Sequence, residues 1–246
     1  MLVTLTGAYR NAGDHLIGAR GRALLNEFVD DEIVNVNRRK ITDEHYEIFN
    51  NARAVILLGG PAYESAVFPK IYPLDFDRIE TRVIPMGLGW RGTLGQEPSE
   101  FQFTDVAKSA LTKLHKKIAY SSVRDVLTLE MMNHQGIKNV EMTGCPAWYK
   151  LDDLEAEYKF NPAVTNIAFS LPAKPHAEVF ELISELSKKY PRAKKTMAFH
   201  NGLRPNRAES GKELMKWHIK VAAYGALKGW RSISIADGLE KFEDLY

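Results

Sequence analysis

The sequence predicts an α/β protein of two units, each a parallel sheet with helical crossovers, and three observations carry that expectation. Short apolar runs alternate with amphipathic segments from the first residues onward. The strand-like runs end in glycine-rich loops. A polar, charged stretch closed by proline, "LDDLEAEYKFNP" at 151–162, interrupts the alternation before it restarts. A chain of 246 residues with 45% hydrophobic residues has ample material for such cores.

Strands are expected at Leu2–Leu5, Glu32–Val36, Ala54–Leu58, Val83–Met86, Ile118–Ser122 and Asn139–Met142, each apolar or β-branched and bounded by turn residues. Helices are expected between them at Asp14–Phe28, Asp43–Asn51, Thr104–His115 and Asp125–Gln135. Asp14 and Asp125 stand where N-caps belong, and Gly136 follows "MMNHQ" where a helix ends. Such alternation places successive strands in parallel. Beyond the polar stretch come strand Asn166–Ser170, helix His176–Lys189, strand Thr196–Phe199, helix Glu209–Leu227, strand Ser232–Ile235 and a short terminal helix. The expected division is a first domain over 1–150, a linker over 151–163 and a smaller second domain over 164–246.

Charge narrows the function. The 33 basic and 31 acidic residues nearly cancel, too even for a protein whose task is to neutralise a phosphate backbone, and no nucleic-acid-binding module is recognisable. Residues 161–246 nevertheless carry 14 Lys and Arg against 9 Asp and Glu, which suits a small anionic ligand as well as it suits a solvated basic surface. The single cysteine, Cys145, offers no internal disulfide. No apolar run approaches membrane-spanning length, so no integral membrane segment is expected and the cytoplasm is the expected location.

In open α/β sheets ligands bind beyond the carboxyl ends of the strands. The loops there are "GAYRNAGD", "GGPAYES", "GLGWRG", "SVRD" and "TGCPAW". Glycines such as Gly59 and Gly60 let a ligand approach backbone amides with no Cβ in the way. In the first loop Asp14 caps the helix on the plain reading; on the functional one Asn11 and Gly13 face a ligand and Asp14 meets a hydroxyl. "GLGWRG" matches a dinucleotide fingerprint, but it follows the fourth strand and opens no helix, so NAD is rejected and no cofactor is expected. The seven histidines lack metal spacing.

"SSVRD" puts Ser122 at a strand end and Arg124 on the loop at the expected cleft. Either Arg124 pairs with Asp125 or Glu130 at the surface, or its planar guanidinium grips a carboxylate or phosphate through two parallel hydrogen bonds. "MKWHIKVAAYGALKGW" reads as a helix with Lys216 and His218 in its exposed early part and Val221, Ala222, Gly225 and Ala226 packing behind.

The ordered succession "NAGDHLI", "VILLGGPAY", "PMGLG", "SVRD", "TLEMMNHQGIKNVEMTGCPAW" and "KWHIKVAAYGALKGWRSISIADGLEKF" resembles the polysaccharide pyruvyl transferase family over nearly the whole chain. That resemblance implies a fold similar to two-domain glycosyltransferases of the GT-B type, with the active site between two Rossmann-like halves. It implies phosphoenolpyruvate as donor and a sugar or glycan as acceptor, joined as a cyclic pyruvate ketal, with no metal. By motif the family's arginine, histidine and lysine fall on Arg124, His218 and Lys241, expected to share one crevice. Lys216 stands where the family usually has arginine, keeping the charge and losing the bidentate fork. His218 or Asp14 is expected to move protons, and Arg124, Lys216 and Lys241 to neutralise the donor's charges. Two other classes stay open: a nucleotide-sugar-dependent glycosyltransferase on the same architecture, and a non-catalytic member that binds a glycan or anion, to which a chain ending soon after Lys241 lends weight.

Overall fold

A computed structural model describes residues 1–7, 12–93, 95–157, 159, 162–172, 176–199 and 211–234. Contacts divide the chain into two compact units, with the break between Ala156 and Glu157.

The first unit runs β1 (Leu2–Thr6), α1 (Ala12–Phe28), β2 (Ile33–Asn37), α2 (Asp43–Asn51), β3 (Ala54–Leu58), β4 (Val83–Met86), α3 (Asp105–His115), β5 (Ser121–Val123), α4 (Val126–His134) and β6 (Val140–Met142). Every strand pair is parallel, and four strands form one sheet in the order β2-β1-β3-β4. All five residues of β3 are buried, as expected of a strand covered on both faces. β5 and β6 pair separately and join the edge of β4 through a parallel bridge between Leu88 and Val123. The chain crosses from β2, on one side of β1, to β3 on the other. That reversal is a topological switch point, lying between the carboxyl ends of β1 and β3, where open α/β sheets bind ligands.

Local chemistry sets the element ends. Thr104 Oγ1 accepts from the Ala107 amide to cap α3, and Asp125 Oδ1 accepts from the Thr128 amide at 2.8 Å to cap α4. Gly136 follows α4 with φ of 82°. The core gathers Val3, Leu5, Phe49, Val55, Leu57, Leu111 and Met131, all fully buried. Two expectations need correction. The fifth strand does not span Ile118–Ser122, because the Asn139 side chain takes the Ile118 carbonyl at 3.1 Å and holds it in the turn after α3. Asp14 is not an N-cap, because α1 already begins at Ala12 and puts Asp14 inside its first turn.

The second unit runs β7 (Asn166–Ser170), α5 (Glu178–Lys189), β8 (Lys194–Phe199), α6 (Gly211–Leu227) and β9 (Trp230–Ser234), with the parallel order β7-β8-β9. Leu171, Val179, Ile183, Met197, Phe199, Trp217, Val221 and Trp230 form its core. The last strand starts at Trp230, earlier than Ser232, because that indole is buried and its Nε1 donates to Ser187 Oγ at 2.8 Å. The expected terminal helix lies outside the described residues. The α/β class with parallel sheets is the one the alternation predicted.

Candidate active site

The strand-end loops of the first unit meet at its carboxyl edge. Gly59 and Gly60, just after β3, have φ of 51° and 80°, a backbone region that side chains other than glycine adopt only with strain. A Cβ on Gly59 would lie 2.4 Å from Ile17 Cγ2 of α1, and one on Gly60 would lie 3.6 Å from Asp14 Oδ1. A Cβ on Gly7, after β1, would come 3.0 Å from Asp14 Cγ and 3.1 Å from Arg38 Nη2. The Asp14 carboxylate and the Arg38 guanidinium therefore approach one point, beside Gly7 at the end of β1. Gly13, in the first turn of α1, precedes Asp14 there.

Next along the edge, Gly89 N donates to Gly60 O at 2.8 Å, tying the β4 loop to the β3 loop. Gly87 N donates to Ser122 Oγ at 2.9 Å and to Ser122 O at 3.0 Å, tying it to β5. Ser122 thus holds the loop in place, with its hydroxyl hydrogen left to donate. Arg124 N donates to Leu88 O, and the Arg124 side chain lies against Gly89 so closely that a Cβ there would fall 1.9 Å from Nε. Nε donates to Asp125 Oδ2 at 3.0 Å, which realises the expected surface pair, while Asp125 Oδ1 caps α4. No described residue pairs with the two terminal nitrogens of Arg124. They are free to grip an anion end-on. Burial pushes the Asp125 carboxyl up, but hydrogen bonds from Thr128 and Arg124 outweigh it and hold it below the usual aspartate range.

Arg38 was not among the residues singled out by sequence. Its Nη1 donates to Tyr72 Oη at 3.4 Å and its guanidinium stacks 5.0 Å from the Tyr72 ring, so a buried phenol orients it. Burial raises the Tyr72 pKa, against the opposing pull of Arg38. The available signal was position: "RRK" follows β2 as the glycine loops follow their strands.

In the second unit Lys216 is exposed on α6, as expected, but His218 is not. It is 3% exposed, edge-on to Phe199 at 5.0 Å and tilted against Trp217 at 5.5 Å. The reason is helical spacing: Leu214, Trp217, His218 and Val221 share the face that packs on the sheet. Ala226, expected behind that face, is exposed, whereas Gly225 is buried with no room for a Cβ before Met197 Cε at 2.1 Å. Asn11 and Lys241 lie outside the described residues.

Among the described residues no group of three or more His, Cys, Asp or Glu side chains could hold a metal ion, and no helix is long and apolar enough to cross a membrane. Parallel sheets, a topological switch point and a seated arginine define an α/β protein whose first unit presents the Arg124 guanidinium beside the strand-end loops. A family model described as polysaccharide pyruvyl transferase matches residues 11–231, and the chain belongs to that family. No curated protein matches the chain in sequence. Among solved structures the C-domain of LpoA (YraM) from Haemophilus influenzae, a regulator of PBP1A, aligns over 100% of this chain and 87% of that one at 10% identity, with a TM-score of 0.26. A likeness that slight says nothing about fold or function.

Proposed function

We propose that this protein transfers the enolpyruvyl carbons of phosphoenolpyruvate to two hydroxyls of one sugar in a glycan, forming a pyruvate ketal in polysaccharide biosynthesis. Membership of the family supports the reaction class. The observation that carries the reading further is Arg124, held on the Gly89 backbone with both terminal nitrogens unengaged by any described residue. A donor bearing a carboxylate and a phosphate suits that fork.

In the proposed reaction the enol methylene gains a proton and the adjacent carbon becomes electrophilic. A sugar hydroxyl attacks that carbon and loses its proton. The bond from the carbon to the bridging phosphate oxygen then breaks, a second hydroxyl closes the ketal, and the other hydroxyl proton leaves on phosphate. Arg124, Lys216 and Lys241 neutralise donor charge, and His218 or Asp14 moves protons. Asn11, Gly13, Gly59, Gly60 and Ser122 line the substrates. The enzyme works in the cytoplasm and needs no cofactor beyond its donor.

Phosphate release from phosphoenolpyruvate, with mixed hexoses and hexosamines as acceptors, tests the reading. Release that depends on acceptor supports it. Stabilisation by uridine or guanosine nucleotides with no phosphate released overturns it.

A further inference from the structure

The loops after β3 and β4 also wall an open cleft of about 470 Å3, wholly within the first unit. That volume falls in the range of roughly 300–1,000 Å3 typical of small-molecule sites. Glu64 lines it, its side chain only 14% exposed, one carboxylate oxygen accepting from Lys70 Nζ at 3.1 Å and the other from Arg91 Nη1 at 2.5 Å. Burial pushes Glu64 up, and the two cations outweigh it and keep the carboxylate ionised. Both cations reach into solvent, 68% and 66% exposed, and one positive charge remains after Glu64 is matched.

Neutral groups complete the wall. Gln96 uses its amide oxygen to accept from Thr93 N at 3.1 Å and keeps its amide hydrogens to donate, while Ser65 and Gln102 stand exposed at the rim. Phe101, 5% exposed, also lines it, fixed edge-on to Trp90 at 5.6 Å and Phe103 at 4.9 Å. A sugar ring offers hydroxyls that both donate and accept around an apolar face. A carboxylate, a guanidinium and amides lining one cleft answer the hydroxyls, and the surplus charge calls for a negative substituent.

We infer that this cleft binds one ring of an acidic sugar, as the acceptor subsite of the transfer proposed above, on which the word acceptor rests. Its place fits. Gly89, the seat of Arg124, accepts from Tyr63 N at 2.9 Å, and Arg91, two residues on, donates from its backbone to Tyr63 O at 3.0 Å.

The test is saturation-transfer NMR on the full chain, without phosphoenolpyruvate, using glucuronate and glucose as probes. Glucuronate gives the stronger response with the unaltered protein, and its affinity falls about tenfold in Arg91→Ala, as expected for the loss of a charged hydrogen bond, with a lesser fall in Gln102→Ala. No contact with glucuronate, equal responses to the two sugars, or an unaltered response in Arg91→Ala overturns the inference. Phosphate release is read separately. Protein that binds glucuronate through Arg91 yet releases no phosphate from phosphoenolpyruvate overturns the transfer and keeps the sugar site. Protein that turns over with the acceptor KM unmoved by Arg91→Ala overturns the sugar site and keeps the transfer.

Discussion

The Arg124 side chain lies directly on the backbone of Gly89: Nε, Cζ and Cδ would stand 1.9, 2.4 and 2.5 Å from a Cβ at that position. Three side-chain atoms so close to one point leave no room for a methyl group unless the guanidinium moves. Gly89→Ala is therefore expected to unseat Arg124 while leaving its charge in place. The expected outcome is a loss of about 10²-fold in kcat/KM for phosphoenolpyruvate, the scale of a displacement near 1 Å in a catalytic group. Steady-state phosphate release measures it, and an unchanged Tm separates it from unfolding. Full activity in Gly89→Ala would show that the seat is irrelevant.

Arg124→Lys tests the fork rather than the charge. A lysine keeps one positive centre but cannot present two parallel donors, and it cannot hold Asp125 Oδ2 through Nε. The KM for phosphoenolpyruvate is expected to rise about tenfold or more, in line with a lost charge-assisted hydrogen bond. A KM equal to that of the unaltered protein would place the donor elsewhere.

Much of the fold was legible because short apolar runs bounded by glycine and charge have few other solutions. β3, β4, α2 and β7 fall on the expected residues. The fifth strand was misplaced because Ile118 looks like a strand residue, while the group that captures its carbonyl, Asn139, lies 21 positions away. The burial of His218 was legible in principle, since 214, 217, 218 and 221 form one helical face, but a histidine's polarity hid it. The Glu64 cleft was not legible. Its three charged groups come from two loops, and Arg91 meets Glu64 across 27 positions.

Acid should weaken the first unit in two separate windows. Burial lowers the His115 pKa below its ordinary 6.5, against a smaller opposing effect from Asn139, whose Oδ1 accepts from Nδ1. Asn139 Nδ2 donates to the carbonyls of His115 and Ile118, which fixes the amide orientation and makes the ring nitrogen the donor. The unfolded chain then takes up the proton first, so stability falls as pH drops below about 6.5 and stops falling once the folded ring is protonated. Asp125, like Asp31 and Glu64, has a depressed carboxylate pKa. Its contribution is present above about 3.8 and is lost as pH falls through the lower folded value. Thermal melts from pH 7.5 to 3 should show both declines, with His115→Gln removing the first and Asp125→Asn reducing the second. A Tm flat from pH 7 to 5 would contradict the His115 account.

His218 poses the sharpest test, because burial gives it a structural role whether or not it moves protons. Its ring fills a slot against Phe199 and Trp217, so His218→Ala would confound a lost catalyst with a cavity. His218→Asn and His218→Gln keep a polar group in the slot and remove the imidazole. If the imidazole carries the proton, both variants lose 10²- to 10⁴-fold in kcat, as is typical of a missing acid–base group. The pH dependence of kcat attributable to it disappears with it. A ring that only packs leaves kcat within about threefold in whichever variant retains Tm, since packing changes of this kind act on stability rather than on the reacting atoms. Either variant folding normally and turning over at the original rate with the original pH profile would remove His218 from the chemistry and shift the proton transfer to Asp14.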